Sequence, residues 1–399
     1  MSAIESVPAS APRPSRALVI GAGVPLVYML FGMTWMGLVP VMPELTTALG
    51  VERKDGTLLV TIISMAKSIV PILAGVLAAR IGLTTTMRAA GVLILAGVAA
   101  PWLPEYAAVV AARFVFGVGG AVWVTLMGSV VMAALTPSQR PIANALNGVA
   151  VNLGVITALF VTLPLSQQIG WQWAVSLASI ASGVCLVALF AAGSLGPAPA
   201  KVSVAQLLLS YAKTLKLSTT WILAVAFCGP LALYLVMNTF LGTHLETFGV
   251  ERAASMRWLS WLNLWGVPAS LGAGLLLTKV YPQPRPYLLI ASVLVPCAVA
   301  CAVVVDSDAL RAVSFALVGF GMFLPVSPLI TTVQKLPGQT PAQLGMVLGT
   351  MFAVTYVISS AVPSAVGPLV EAGIPLGNVL MCAGLLGATP LAGLLLSRR

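Results

Sequence analysis

Long apolar runs separated by short polar stretches make up almost all of this chain of 399 residues. A helix needs about 20 mostly apolar residues to cross the hydrocarbon of a bilayer, and twelve runs are about that long. Polar residues do not alternate within them, as they would in spanning strands. The pattern predicts twelve transmembrane helices, at 17–43, 57–79, 86–103, 107–135, 142–166, 171–192, 219–245, 256–278, 286–305, 309–333, 343–369 and 375–396.

The connections between these helices are short, except for one near the middle of the chain. That segment contains Gly, Pro and Lys and separates two groups of six helices. We therefore predict an all-α membrane protein made of two pseudo-symmetric six-helix bundles. The predicted parts are a tail at 1–16, a bundle at 17–192, a linker at 193–218 and a second bundle at 219–396.

Charged residues are few, at 8% against 59% hydrophobic, and they divide between the two sides of the predicted membrane. We call one side the basic end; it holds Arg13, Arg16, Arg80, Arg88, Arg140, Lys201, Lys213, Lys216, Lys279, Arg285, Lys335, Arg398 and Arg399. The acidic end holds Glu44, Glu52, Asp55, Glu105, Glu246, Glu251, Asp306, Asp308 and Glu371.

Because cytoplasmic loops carry an excess of Lys and Arg, we predict that the basic end and both termini are cytoplasmic. The predicted location is the bacterial cytoplasmic (inner) membrane. The net charge of +10 thus reflects topology, and we expect a lipid bilayer and a small solute as partners, with no nucleic acid. We also expect a monomer.

The residues needed for catalysis or for a cofactor are scarce. The single histidine, His244, cannot form a metal site alone, and the five cysteines lie inside apolar runs without a CxxC, as buried hydrophobic residues do. Nothing resembles a phosphate-binding P-loop. We predict no cofactor, no metal, no enzymatic activity and no ATP-driven transport. A receptor or scaffold on the same fold stays open.

Lys67 is a cation inside the second predicted helix. It lies about ten residues, or about 15 Å, from the acidic end of that helix, near the midplane where transporter sites lie. Ionisable residues at this depth are costly and are usually functional. Pro71 has no N–H, so the carbonyl of Lys67 loses its helical partner. We predict that Lys67 binds the solute; the alternative is a structural lysine bonded to backbone carbonyls near Pro71.

Arg113 is a second embedded cation, for which direct solute contact is predicted, with gating or packing as the alternative. Every Asp and Glu falls in a predicted loop or at the end of a span, Glu44 and Glu246 lying nearest the membrane. A buried ammonium must find an anion or water, or give up its proton. An anionic solute would supply the missing charge, so we favour an anion over a cation or a sugar.

Aromatic and amide residues at similar depth complete the predicted site. Tyr28 and Trp35 share a face of the first helix, and Tyr234 and Asn238 share a face of the seventh. The alternatives are packing or an interfacial belt for the aromatic residues and interhelical hydrogen bonds for the asparagines. The predicted cavity-lining residues are Tyr28, Trp35, Asn152, Tyr234, Asn238, Asn263 and Tyr356.

A short glycine-containing turn occurs twice at the basic end. Gly75-Val-Leu-Ala-Ala-Arg80 follows the second helix, and Gly274-Leu-Leu-Leu-Thr-Lys279 follows the eighth. Parallel six-helix repeats are typical of transporters whose site lies between the halves.

Three motifs resemble those of the major facilitator superfamily. Gly75-x-Leu77-Ala78-Ala79-Arg80-x-Gly82, ending at Arg88, resembles the family's loop 2–3 motif. Arg113-x-x-x-Gly117-x-Gly119-x-Ala121 resembles its fourth-helix motif. Gly170-Trp171 resembles its Gly-Trp-Arg turn, with Gln172 in place of the arginine. The resemblance covers nearly the whole chain, and it implies the family's fold and transport by alternating access.

The resemblance also implies which residues control conformation, and where this chain departs from the family. The predicted gating residues are Gly75, Arg80, Gly82 and Arg88, with Gly274 and Lys279 in the second half. Ala79 stands where the loop motif usually has an aspartate, which puts the family's charged latch in doubt. Residues 147–154 of the fifth helix lack the Gly-Pro and paired glycines of the family's antiporters.

Together these features predict a secondary active or facilitative transporter of a small anionic solute, either carboxylate-like or inorganic. Symport with protons, exchange and simple equilibration all stay open. The alternative is proton-coupled efflux of drug-like amphiphilic compounds, which would be expected to need an embedded acid.

Overall fold

A computed structural model of the chain describes residues 14–136, 140–196, 203–281, 283–334 and 341–396. Within these ranges every regular element is helical. Residues 1–13 of the predicted tail and residues 197–202 of the predicted linker lie outside them. The predicted boundaries of the two bundles therefore stay a prediction.

The described helices follow one another with short connections. In the first half they are α1 (Pro14–Met36), α2 (Met42–Leu49), α3 (Arg53–Ile81), α4 (Leu83–Ile94), α5 (Ala96–Ala99), α6 (Tyr106–Ala134), α7 (Arg140–Ile169) and α8 (Trp171–Ala191), with a 3₁₀ turn at Ala100–Trp102 after α5. Helix α9 (Val204–Leu215) follows. The second half contains α10 (Ser218–Thr247), α11 (Arg252–Lys279), α12 (Arg285–Val304), α13 (Asp308–Phe323), α14 (Val326–Gln334), α15 (Pro341–Glu371) and α16 (Leu376–Gly384), with a 3₁₀ segment at Leu385–Leu395.

In the described part of the chain, eleven helical segments are long and apolar enough to cross a membrane. Helix α11 is the remaining predicted span; with 28 residues it is long enough, but Trp258, Asn263 and other polar or aromatic residues lower its mean hydropathy. Large apolar side chains such as Leu18, Val184 and Val293 are exposed on the outer faces of the helices, where a bilayer would cover them. The prediction of an all-α protein with twelve membrane-spanning helices is confirmed.

Several predicted boundaries were wrong. The first span was predicted at 17–43, but α1 ends at Met36 and a separate α2 begins at Met42, because Pro40 and Pro43 cannot donate helical hydrogen bonds. The tenth span divides into α13 and α14 next to Pro325. The predicted linker contains a helix for which the sequence had given no prediction: α9, whose first turn is closed by a capping box between Ser203 and Gln206.

The packing of the first half is repeated in the second. Helix α1 packs against α7 as α10 packs against α15, and α3 packs against α6 as α11 packs against α13. Between the halves, α3 packs against α15 and α7 packs against α11. The two interfaces involve equivalent helices, which is the pseudo-symmetry that the sequence predicted.

Close helix contact within each half requires glycine at some positions, of which one in each half is an example. A Cβ added at Gly154 in α7 would collide with the carbonyl of Met29 in α1, and one added at Gly319 in α13 would collide with the carbonyl of Leu262 in α11. Small residues of this kind let membrane helices pack backbone against backbone.

Candidate functional site: a caged lysine between the two halves

Lys67 is the middle residue of the 29-residue helix α3, and its side chain is completely buried. Its Nζ lies 4.0 Å from the ring centroid of Trp35, 4.7 Å from that of Phe31 and 5.5 Å from that of Tyr28, all on α1. The ring of Tyr356 on α15 lies 5.3 Å away. We call these four rings the aromatic cage. Because Tyr356 belongs to the second half, the cage spans the interface between the halves.

The ammonium of Lys67 has no hydrogen-bond partner among the described residues, so the alternative of bonds to carbonyls near Pro71 is not what the structure shows. The buried residues of the described chain include no Asp or Glu. Each cation–π contact contributes about 0.5–2 kcal/mol, whereas burying an unpaired ion costs at least several kcal/mol. When Lys67 is protonated, the cage therefore compensates its positive charge only in part.

Arg113 is also buried, but its guanidinium is fully engaged by the first half. It donates to the carbonyls of Leu59 at 3.1 Å, Thr34 at 3.0 Å and Trp35 at 2.7 Å. These bonds tie α6 to α1 and α3. We therefore propose a structural role for Arg113, in place of the direct solute contact that the sequence suggested.

The cage is held in place by neighbours on three helices. The indole of Trp35 donates to the carbonyl of Val60 at 3.1 Å. The ring of Phe31 stacks on Tyr28 at 5.8 Å and on Phe116 at 4.5 Å. These contacts fix the orientation of the rings before any solute arrives. Phe31 was not among the predicted residues, although its spacing of three residues from Tyr28 and four from Trp35 places it on the same helical face.

The predicted asparagines come together beside the cage. Asn263 Nδ2 donates to Asn238 Oδ1 at 2.6 Å, and Asn238 Nδ2 donates to the carbonyl of Tyr234 at 2.8 Å. Asn152 lies across the interface, where its Nδ2 would be 2.8 Å from a Cβ added at Gly266. We call Asn152, Tyr234, Asn238 and Asn263 the polar cluster.

A cavity of about 310 Å³ lies at the acidic end, between the two halves. Val60 and Asn238 both line it, and each is hydrogen-bonded to a residue of the site. Glu246, the acid noted from the sequence, and Arg252 also line it. Lys67 does not line it; the nearest link is Trp35 of the cage, which donates to the carbonyl of Val60. Arg252 was not among the predicted residues, since nothing in its local sequence indicates a partner in the other half.

Tyr211, on the linker helix α9, occupies the gap between the halves at the basic end. Its hydroxyl lies 2.7 Å from a Cβ added at Gly75 on α3 and 3.7 Å from one added at Gly349 on α15. Burial raises the pKa of Tyr211 to about 12, so the hydroxyl stays uncharged at physiological pH. Gly75, a predicted gating residue, therefore leaves room for a side chain from the linker.

The other predicted gating residues surround this region without forming one site. Gly82 has a φ of +91°, a conformation that favours glycine, and it ends α3. Arg80 is exposed, whereas Arg88 lies 5.6 Å from the ring of Phe190. Gly274 lies close to Ser327, because a Cβ added at Gly274 would lie 3.3 Å from the Oγ of Ser327. The side chain of Lys279 lies outside the part of the chain that the structure describes.

Comparison with known proteins gives a family and a fold. Residues 25–368 match the family model described as Major Facilitator Superfamily, and no curated protein matches the sequence. The crystal structure of the human organic anion transporter MFSD10 (TETRAN) has a TM-score of 0.74 at 18% identity, covering 96% of this chain and 99% of that chain.

Two further solved structures have the same fold. A peptide transporter POT in complex with sulfate has a TM-score of 0.73 at 14% identity, covering 97% of this chain and 96% of its own. The proton:xylose symporter XylE bound to 6-bromo-6-deoxy-D-glucose has a TM-score of 0.72 at 16% identity, covering 96% of each chain. At these identities the likeness shows the fold alone.

Proposed function

This chain belongs to the Major Facilitator Superfamily and is a transporter of small solutes rather than an enzyme, and on this premise we propose that its solute is a small anion. The anion is carboxylate-like or inorganic, and Lys67 binds it. Transport proceeds by alternating access, in which the two halves rock about a site near the membrane midplane.

The observation that carries this proposal is the unpaired ammonium of Lys67 inside the aromatic cage. An anion at this position would supply the charge that no buried acid of the described chain supplies. Because Tyr356 closes the cage from the second half, a bound anion would also change the contacts between the halves. Such coupling of binding to conformation is what alternating access requires.

Uptake into vesicles containing the purified protein tests this function. We expect uptake of a suitable small carboxylate by the wild type and loss of most of it in Lys67→Gln, because a neutral amide cannot balance the charge. Arg257→Gln is the matched control, since Arg257 is an exposed cation outside the site. Undiminished uptake by Lys67→Gln would contradict the proposal.

The same assay distinguishes the forms of coupling. Steep dependence on an imposed pH gradient in the wild type, lost in Lys67→Gln with a solute that carries no titratable group, would make Lys67 the proton carrier. Dependence that survives in Lys67→Gln would point to Glu44 or Glu246, the two acids nearest the ends of the spans. Exchange of solutes needs no proton carrier. It would be identified by faster uptake of labelled solute when the vesicles contain unlabelled solute.

Proton-coupled efflux of drug-like amphiphiles is the second candidate. It is favoured by Glu246, which together with Glu371 and Arg252 lines a cavity whose other residues are mainly apolar. In that case Glu246→Gln would abolish efflux of an amphiphilic cationic dye, and Lys67→Gln would leave it intact. If the solute is an anion, as first proposed, Lys67→Gln would lose transport of the anion and Glu246→Gln would keep it.

We also propose that the protein is a monomer in the bacterial cytoplasmic membrane, with the basic end and both termini in the cytoplasm. The distribution of Lys and Arg supports this orientation.

A further inference from the structure

The polar cluster beside the cage is buried, and backbone carbonyls determine the orientation of two of its three amides. Asn238 Nδ2 donates to the carbonyl of Tyr234, and Asn263 Nδ2 donates at 2.8 Å to the carbonyl of Leu259. A carbonyl accepts only from the NH₂ side of an amide. The oxygen of Asn263 must therefore point away from Leu259.

Four polar atoms of this cluster have no hydrogen-bond partner among the described residues. They are Oδ1 of Asn263, both amide atoms of Asn152 and the hydroxyl of Tyr234. Asn152 and Asn263 are completely buried, and Tyr234 is nearly so. Buried polar groups are almost always bonded, because leaving them unpaired forfeits their interaction with water. Several such atoms in one place indicate that something else bonds them.

The cluster lies where the two halves meet. Helices α7 and α11 run antiparallel there: Ser260 Oγ donates to the carbonyl of Ile156 at 3.4 Å, and Gly148 lies opposite Ser270 further along. Asn152 lies between these two contacts. Because Asn152 comes from the first half and Asn263 from the second, a group bound between them would contact both.

Tyr234 connects the cluster to the cage. Its helix, α10, packs against α15, which carries the cage residue Tyr356. The ring of Tyr234 packs edge-on against Phe323 at 5.6 Å, and Phe323 also lies against Gly266, opposite Asn152. The cage and the cluster are therefore adjacent regions of one interface.

We propose that the polar cluster is a second binding subsite, which takes an uncharged hydrogen-bonding group of the solute while Lys67 takes the anionic group. Asn152 Nδ2 and the Tyr234 hydroxyl donate, and the oxygens of Asn152 and Asn263 accept. The bound group must therefore both donate and accept, as a hydroxyl or a carboxamide does. A second carboxylate can only accept hydrogen bonds, and it would face the amide oxygens of Asn152 and Asn263. The substrate class is a monoanion that carries a hydroxyl or an amide, and this assignment of the anionic end rests on the function proposed above.

Ligand-induced thermal stabilisation of the purified protein tests the subsite. The probes are ω-hydroxy and ω-carboxamide carboxylates of two to six carbons, each compared with the plain carboxylate and the dicarboxylate of equal length. We expect one chain length at which the hydroxy or carboxamide acid binds about tenfold more tightly than the plain acid. The dicarboxylate should gain nothing.

Asn152→Leu keeps the side-chain volume but removes both hydrogen-bonding atoms. It should abolish the tighter binding of the hydroxy or carboxamide acid and leave binding of the plain carboxylate. Asn147→Leu is the matched control, since Asn147 is a buried asparagine of the same helix whose amide atoms are also unpaired. It lies about 7.5 Å along the helix axis towards the basic end, and its variant should keep the difference. Lys67→Gln should lose binding of every carboxylate.

Equal affinities for plain and hydroxylated acids at every length would overturn the subsite, as would a difference that survives Asn152→Leu; the cluster would then hold only water. The two proposals fail separately. If no carboxylate binds the wild type but a neutral ω-hydroxyamide binds and is lost in Asn152→Leu, the subsite stands and the anionic solute is wrong. If neither class of probe binds, both are overturned.

Discussion

Arg252 at the start of α11 forms an ion pair with Glu44 of α2, with Nη2 3.2 Å from Oε2, across the interface between the halves. The same Nη2 also donates to the carbonyl of Pro40. Arg252 lines the cavity at the acidic end, so the pair ties the halves together beside that cavity.

Arg252→Ala should therefore favour separation of the halves at the acidic end. An ion pair of this exposure contributes at most about 1 kcal/mol, which corresponds to a change of up to about fivefold in the equilibrium. We expect faster labelling of a cysteine placed at Met256, which lines the cavity, in a background without native cysteines. Arg257→Ala removes an exposed arginine of the same helix and should not change the rate. Because salt screens such pairs, high salt should reduce the difference.

Lys67 and Arg113 should respond oppositely to substitution by methionine. Lys67→Met removes an unpaired buried charge, so the solute-free protein should gain on the order of 1 kcal/mol in stability while losing anion binding. Arg113→Met leaves the carbonyls of Leu59, Thr34 and Trp35 without their donor, at about 1–3 kcal/mol for each group that stays unpaired. Thermal unfolding of the two purified variants measures both effects. A fall in Tm for Lys67→Met as large as that for Arg113→Met would make Lys67 a structural residue.

Lys67→Arg should keep the charge but only part of the transport. The cage leaves Nζ between 4.0 and 5.5 Å from four ring centroids, and the larger planar guanidinium would displace those rings. Overpacking of this kind costs about 1–3 kcal/mol. We expect a lower rate of anion uptake than in the wild type and a higher one than in Lys67→Gln. Uptake equal to that of the wild type would show that the cage does not limit the shape of the cation.

Tyr211→Ala should loosen the basic end, because the side chain between Gly75 and Gly349 is lost. A cysteine at Gly349 should then react faster with a water-soluble reagent applied from that side. Leu209→Ala, which truncates an exposed residue of the same helix, is the control. Unchanged reactivity in Tyr211→Ala would mean that α9 does not contribute to closure.

Single cysteines at Asp306 and Lys201 should be labelled from opposite sides of the membrane. The prediction follows from the distribution of charged residues and from the single span, α12, that separates Asp306 from the basic turn before Arg285. Labelling from the same side would contradict the proposed orientation.

Much of the fold could be predicted because hydropathy is a property of consecutive residues. Each apolar run must satisfy its own backbone hydrogen bonds in lipid and therefore forms a helix, so the spans were recognisable one at a time. Lys67 was recognisable for the same reason, since its depth depends only on its position within a run. Breaks next to Pro40 and the helix in the linker were missed, because local capping and turn chemistry compete there with hydropathy.

The amino-acid sequence by itself determined the number of spans, the charge asymmetry and the presence of a cation in the middle of a span. Only the tertiary structure decided what lies around that cation and across the interface: Tyr356 completes a cage that begins with Tyr28 and Trp35, Arg113 is engaged by carbonyls, and Asn152 lies against Gly266 of the other half. These relationships join helices separated by many residues. Which faces meet depends on how all the helices pack together, and no periodicity within a single helix specifies it.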